Sequence, residues 1–147
     1  MDPLIISGTL DSLGPIRTYV KAAAVSAGLG EEAAYSLVLA VDELATNTVK
    51  HGYEENGLSG DITIKAELTS DELIVSIEDT APSYDPRSHR TPEKEDLEKP
   101  LEEREMGGLG VFLAIGGVDR FDYERVDERN RVILAMKRTQ SSERPGN

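Results

Sequence analysis

The chain has no cysteine and no tryptophan, and only two phenylalanines and two histidines among its 147 residues. Without cysteine, disulfides, thiolate nucleophiles and cysteine-based zinc sites are excluded. Neither histidine has a second ligand at zinc-site spacing. No apolar run approaches the length that spans a bilayer. Met1 to Leu10 lacks the basic-then-apolar order of a signal peptide. Positive charge is also short, with 16 Lys and Arg against 28 Asp and Glu, a net charge of −12. Such a surface repels phosphate backbones and anionic lipid, and no local basic patch offsets it, which argues against nucleic-acid and membrane partners. The expectation is a soluble, cytoplasmic protein.

What is present is periodic. Leu4 to Leu10 reads as a first strand, and Gly14-Pro15 opens a helix that runs to about Ala27 and stops at Gly28-Leu29-Gly30. A second helix begins at Glu31-Glu32, whose charges favour a helix N-terminus. Its apolar residues Ala34, Leu37, Val38, Val41, Leu44 and Ala45 recur at offsets of three and four, and it ends near His51-Gly52. Two alternating segments follow: Ile62, Ile64, Ala66 and Leu68 share one strand face, then Leu73, Val75 and Ile77 share another. Residues 87–106 are dense in charge and contain two prolines, and they read as a mobile loop. An apolar helix from Val111 to about Val118 comes next. A last hairpin pairs 121–126 with 131–137 around a turn at 127–130. The expectation is one domain over residues 1–140, with a disordered tail at 141–147. Hairpin-length links between strands favour an α+β two-layer α/β sandwich, helices on one face of a mostly antiparallel mixed sheet, over a doubly wound parallel sheet.

Three groups of residues can carry chemistry. On the second helix Glu43, Asn47 and Lys50 fall in one stripe opposite the apolar one. Glu43 suits a general base, and the Asn47 amide oxygen suits a hard cation such as Mg²⁺. A merely solvated helix face explains the same pattern. Asp79 continues the inward alternation of its strand, so it is a buried acid that can accept a hydrogen bond from an adenine amino group; capping its own turn is the plainer role. Gly107-Gly108-Leu109-Gly110 opens a helix, where backbone N–H groups can approach phosphate, or serves as a hinge. His51 sits at a helix end, favourable for a cation beside the dipole, with phosphate contact as the alternative.

Taken in order, the strings Glu-Leu-Ala-Thr-Asn-Thr-Val-Lys-His-Gly-Tyr (43–53), Glu-Asp-Thr-Ala-Pro-Ser-Tyr-Asp-Pro (78–86) and Gly-Gly-Leu-Gly-Val-Phe-Leu (107–113) resemble those of the bacterial anti-sigma-factor serine/threonine kinases, in the GHKL superfamily that also holds gyrase and the histidine kinases. The resemblance runs from about residue 10 to 138. It implies the Bergerat-type ATP-binding fold, with Glu43 as the general base and Asn47 as the Mg²⁺ ligand. It implies that Asp79 reads the adenine amino group and that residues 87–106 form a lid over the phosphates. The expected nucleotide-binding set is Asn47, Lys50, His51, Asp79, Ala81, Tyr84, Gly107, Gly108, Leu109 and Gly110, with ATP and Mg²⁺ bound. The implied activity is phosphorylation of a serine on a STAS-type anti-sigma-factor antagonist. A sigma factor is a second partner that the family allows, and its members are often homodimers. No phosphoacceptor-histidine helix is present, which argues against a sensor histidine kinase.

Ala81 departs from the family pattern, which has glycine there. If the position needs a positive φ, a Cβ costs on the order of 1–2 kcal/mol; at a negative φ the backbone is unstrained, and crowding of the adenine edge is the remaining way for the methyl to act. Ala81 motivates the alternative expectation, a regulatory module that sequesters a sigma factor or STAS partner with little or no nucleotide chemistry.

Overall fold

The computed structural model describes residues 1–83 and 114–138. Tyr84, the lid expected at 87–106, Gly107 to Gly110 and the tail at 141–147 lie outside the described residues. Strand β1 (Leu4–Ser7) is followed by a short 3-10 turn and by α1 (Leu13–Ala27). Pro15 lies in the first turn of α1, where a missing N–H leaves nothing unpaired. Ile16, Val20, Ala23 and Ala27 make the buried stripe of α1. Gly28 ends the helix in the left-handed region (φ 75°), its N–H returning to the Ala24 and Val25 carbonyls. Helix α2 (Glu31–Asn47) carries both expected glutamates in its first turn and buries Leu37, Ala40, Val41, Leu44 and Ala45.

The helix was expected to end near His51-Gly52. Instead α2 gives way to a π-helical segment, Thr48–Tyr53, and a 3-10 turn, Glu54–Asn56. The widened turn is closed by the Asn56 side chain, whose Nδ2 donates to the carbonyls of His51 and Gly52, both at 3.0 Å. Gly57, at φ 65°, stops the run.

Strands β2 (Asp61–Leu68) and β3 (Glu72–Asp79) form the expected hairpin, and β4 (Arg120–Val126) and β5 (Arg129–Lys137) form the last. The order is β1-β2-β3-β5-β4. All four pairings are antiparallel, the limiting case of the mostly antiparallel sheet expected. Helices α1 and α2 cover one face, where Ile62, Ile64, Leu73, Val75, Ile77 and Leu134 meet them. Leu68, read as sharing the face of Ile62, Ile64 and Ala66, is exposed at the end of β2. The other face carries charge: Arg131 reaches Glu78 (2.9 Å) and Glu124 (3.6 Å), and Arg120 reaches Glu72 (3.0 Å) and Asp122 (3.3 Å). Hydrogen bonding to Glu72, with Asp122 adding to it, raises the pKa of Arg120. Of the helix expected at 111–118, residues 114–118 are described: 114–116 are helical, and 117–118 already form the turn that leads to β4. No helix among the described residues is long and apolar enough to cross a membrane.

The β4–β5 turn is two residues long, not four. Asp127 (φ 50°) and Glu128 (φ 63°) both occupy the left-handed region, as a type I′ turn demands. Neither is glycine, so each carries the Cβ penalty. Glu128→Gly should raise stability by about 1 kcal/mol once the extra freedom of the unfolded glycine is offset. An unchanged or lower Tm would mean that the turn is unstrained.

Candidate functional site

The site forms where the end of α2 meets the end of β3. Glu43 and Asn47 are one helical turn apart and lie on the same side of α2. Glu43 is half-buried, and no hydrogen bond or ion pair holds its carboxylate among the described residues. Asn47 is only 4% exposed. Its Nδ2 is wholly buried and finds no hydrogen-bond partner among the described residues. An orphaned buried amide costs on the order of 1–3 kcal/mol, so its retention calls for a ligand. Amide O and N are assigned from their partners, so with no partner the oxygen can equally face that ligand. A carboxamide oxygen is a donor suited to Mg²⁺, so Asn47 fits the cation that the sequence implies. Among the described residues no cluster of three His, Cys, Asp or Glu side chains could hold a metal. A cation here would draw its remaining oxygens from phosphate and water, as Mg²⁺ commonly does.

Asp79 closes the inward alternation of β3 and is 6% exposed. Oδ1 accepts the Ala81 N–H (2.9 Å) and an Asn130 Nδ2–H (2.8 Å). Oδ2 has one long contact, 3.4 Å from Thr48 Oγ1, and that hydroxyl also donates to the Leu44 carbonyl at 3.2 Å. The turn-capping role read from the sequence is present at Oδ1, and Oδ2 keeps accepting capacity. Thr48, the residue after Asn47, ties the helix end to this strand end.

Ala81 settles the question that its Cβ raised. Among the described residues the only non-glycine positions at positive φ are Asp127 and Glu128, so Ala81 carries no conformational penalty. Its side chain is 2% exposed and packs on Gly52, where an added Cβ would lie 3.0 Å from the Ala81 methyl. The methyl thus faces the π segment, and the glycine of His51-Gly52-Tyr53 makes room for it. His51 is held by Glu55 (Nδ1 to Oε2, 2.6 Å). Lys50 is half-buried and has no ion-pair partner among the described residues.

Tyr53 anchors this corner. Its ring is buried, and its hydroxyl donates to the Asp61 carbonyl (2.8 Å) and accepts the Thr80 N–H (3.0 Å). Gly8 and Gly60 flank the ring so closely that a Cβ on Gly8 would lie 2.5 Å from Tyr53 Cε2. A buried ring cannot move away, so Gly8→Ala should destabilise the fold by about 1–3 kcal/mol. Urea unfolding with an unchanged midpoint would show that the corner is softer than it looks.

The sequence reading set Glu43 and Asn47 on one side of α2 and Asp79 at the inward end of β3, and the described residues have those positions. It missed Thr48, Tyr53, Asn130 and the two side chains that flank Asn130, Tyr123 and Arg125. The Asn130 amide also donates to the carbonyls of Ala81 and Pro82, both at 3.1 Å, and Arg125 Nη1 donates to Ala81 O at 2.8 Å. The available signal was phase: Asn130 alternates inward with Val132, Leu134 and Met136.

The chain is similar to known proteins. Residues 6–136 match the model of the histidine kinase-like ATPase domain. Serine-protein kinase RsbW of Halalkalibacterium halodurans is 30% identical over 125 residues, covering 84% of this chain and 74% of that protein. Serine-protein kinase RsbW of Listeria monocytogenes is 34% identical over 103 residues, covering 69% of this chain and 64% of the relative. Among solved structures, a blue-light activated histidine kinase of Erythrobacter litoralis superposes with a TM-score of 0.51 at 18% identity, over 90% of this chain and 42% of that one, a likeness of fold.

Proposed function

Because this chain belongs to the histidine kinase-like ATPase family, in the branch of the anti-sigma-factor serine kinases, we propose that it transfers the γ-phosphoryl group of ATP to a serine of a partner protein. The observation that carries this reading is the buried amide of Asn47, one turn beyond Glu43, neither side chain having a partner among the described residues.

In this reading Glu43 orients the attacking serine hydroxyl and takes its proton as the new Oγ–P bond forms. The bond from phosphorus to the β-phosphate bridging oxygen breaks, and ADP leaves with that electron pair. Asn47 would hold Mg²⁺, which when bound would neutralise phosphate charge. Asp79 Oδ2 accepts the adenine amino proton. Transfer of this kind rests on positioning and charge stabilisation, which suits groups set on a helix and a strand end. Lys50 and His51 lie beside the metal-holding residue, suited to phosphate contact. Tyr84 and Gly107 to Gly110 keep the roles that the family pattern gives them. The partner is a STAS-type anti-sigma-factor antagonist, with a sigma factor as the second protein bound. Ala81 lies outside the positive-φ region, which counts against the alternative of a regulatory module without nucleotide chemistry.

The test is calorimetry of ATP with and without Mg²⁺, followed by phosphoserine detection on a STAS-type partner. Mg²⁺-dependent binding with phosphate transfer supports the kinase. Binding with ADP release but no phosphoserine would leave an ATPase switch in its place.

A further inference from the structure

The last hairpin carries a buried polar cluster that the catalytic scheme does not use. Asn130 is 3% exposed and stands directly opposite Asp79 in the β3–β5 register. Its amide orientation is unambiguous. Nδ2 faces three acceptors, Asp79 Oδ1 at 2.8 Å and the carbonyls of Ala81 and Pro82, whereas Oδ1 accepts the Tyr123 hydroxyl at 2.6 Å. An amide flip would set the carbonyl against acceptors and the NH₂ against that donor.

A carboxylate can rotate about its Cβ–Cγ bond, and a pocket that reads one hydrogen needs that rotation fixed. Two N–H donors, from Ala81 and Asn130, converge on Oδ1. Oδ1 is thus occupied as an acceptor, and the lone pairs of Oδ2 are aimed by default.

Resting on the ATP reading above, we propose that Asn130, oriented by Tyr123, is a positioning residue that locks the Asp79 carboxylate with Oδ2 outward and so sets the preference for a 6-amino over a 6-oxo purine. A 6-oxo group would present an acceptor to the fixed acceptor Oδ2, two lone pairs facing each other. Once the lock is removed, the carboxylate can turn, and discrimination weakens before binding through the phosphates does.

The probes are ATP and ITP, titrated calorimetrically with Mg²⁺ into the full chain. Wild type should favour ATP. Asn130→Ala should weaken ATP by about tenfold and leave ITP nearly unchanged, so that the ATP:ITP ratio collapses. Asn130→Thr, which keeps one donor, should recover part of the ratio. Tyr123→Phe keeps the amide but frees its orientation, and should lower the ratio by about threefold. It removes one hydroxyl only, so it carries the test if Asn130→Ala fails to fold. A purely structural role would weaken both nucleotides alike. An unchanged ratio in folded Asn130→Ala or Tyr123→Phe, with wild type still selective, would overturn the inference alone. Wild type that binds neither nucleotide would overturn the nucleotide reading and the inference with it.

Discussion

Glu43→Gln keeps ATP bound and slows phosphate transfer to serine by roughly 10²- to 10⁴-fold, the range typical of a lost general base. The substitution preserves the shape and hydrogen-bonding reach of the side chain but cannot take up a proton. Glu43 has no partner among the described residues, so no structural ion pair is broken and the fold should be indifferent. The effect should fall on kcat, with little change in the affinity for ATP, because proton transfer is felt only in the transition state. Transfer measured at saturating ATP decides the matter: an undiminished rate would remove Glu43 from the base role and leave serine activation to another group.

Asp79→Asn acts at the other end of the nucleotide. Hydrogen bonds to a charged group contribute about 1.5–3 kcal/mol, a factor of roughly 10–150 in affinity. The variant does more than remove charge. Two N–H donors converge on Oδ1, so the new amide must turn its oxygen there and its NH₂ toward the position of Oδ2. That places a donor against the adenine amino donor. ATP binding should weaken toward the upper end of the range, while the Tm shifts modestly because the turn and Asn130 keep their acceptor. Unaltered ATP affinity in a folded variant would show that the base is read elsewhere.

Legibility in the sequence followed period and failed at junctions. The alternation through Leu73, Val75 and Ile77 carried Asp79 inward with no tertiary information, and the stripe on α2 set Glu43 beside Asn47. Both are consequences of fixed local geometry. Tertiary packing was out of reach: nothing local says that Tyr53 lies between Gly60 and Gly8, the latter far from it in the chain. The last turn misled for a specific reason. Asp127-Glu128-Arg129-Asn130 is uniformly polar, so it reads as a four-residue loop. The actual turn occupies two residues that lack the glycine signal of a type I′ turn. That misplacement took Asn130 out of the strand and hid its inward phase. The Ala81 question was likewise undecidable from sequence, because its answer is the sign of one dihedral angle.

The π segment between Asn47 and Tyr53 bears on how relatives of this chain are aligned. A π turn holds one residue more than the α turn it replaces, so it behaves as a one-residue insertion retained within a helix. Deleting any residue from 48 to 52 would let the helix relax to α geometry and swing Tyr53 by about 100°, out from between its two glycines and away from Asp61 and Thr80. Length in this stretch is therefore as informative as identity. A sequence that keeps every motif residue but is one shorter here has lost the corner that sets the helix against the strand, and its likeness to this chain would be one of letters and not of shape.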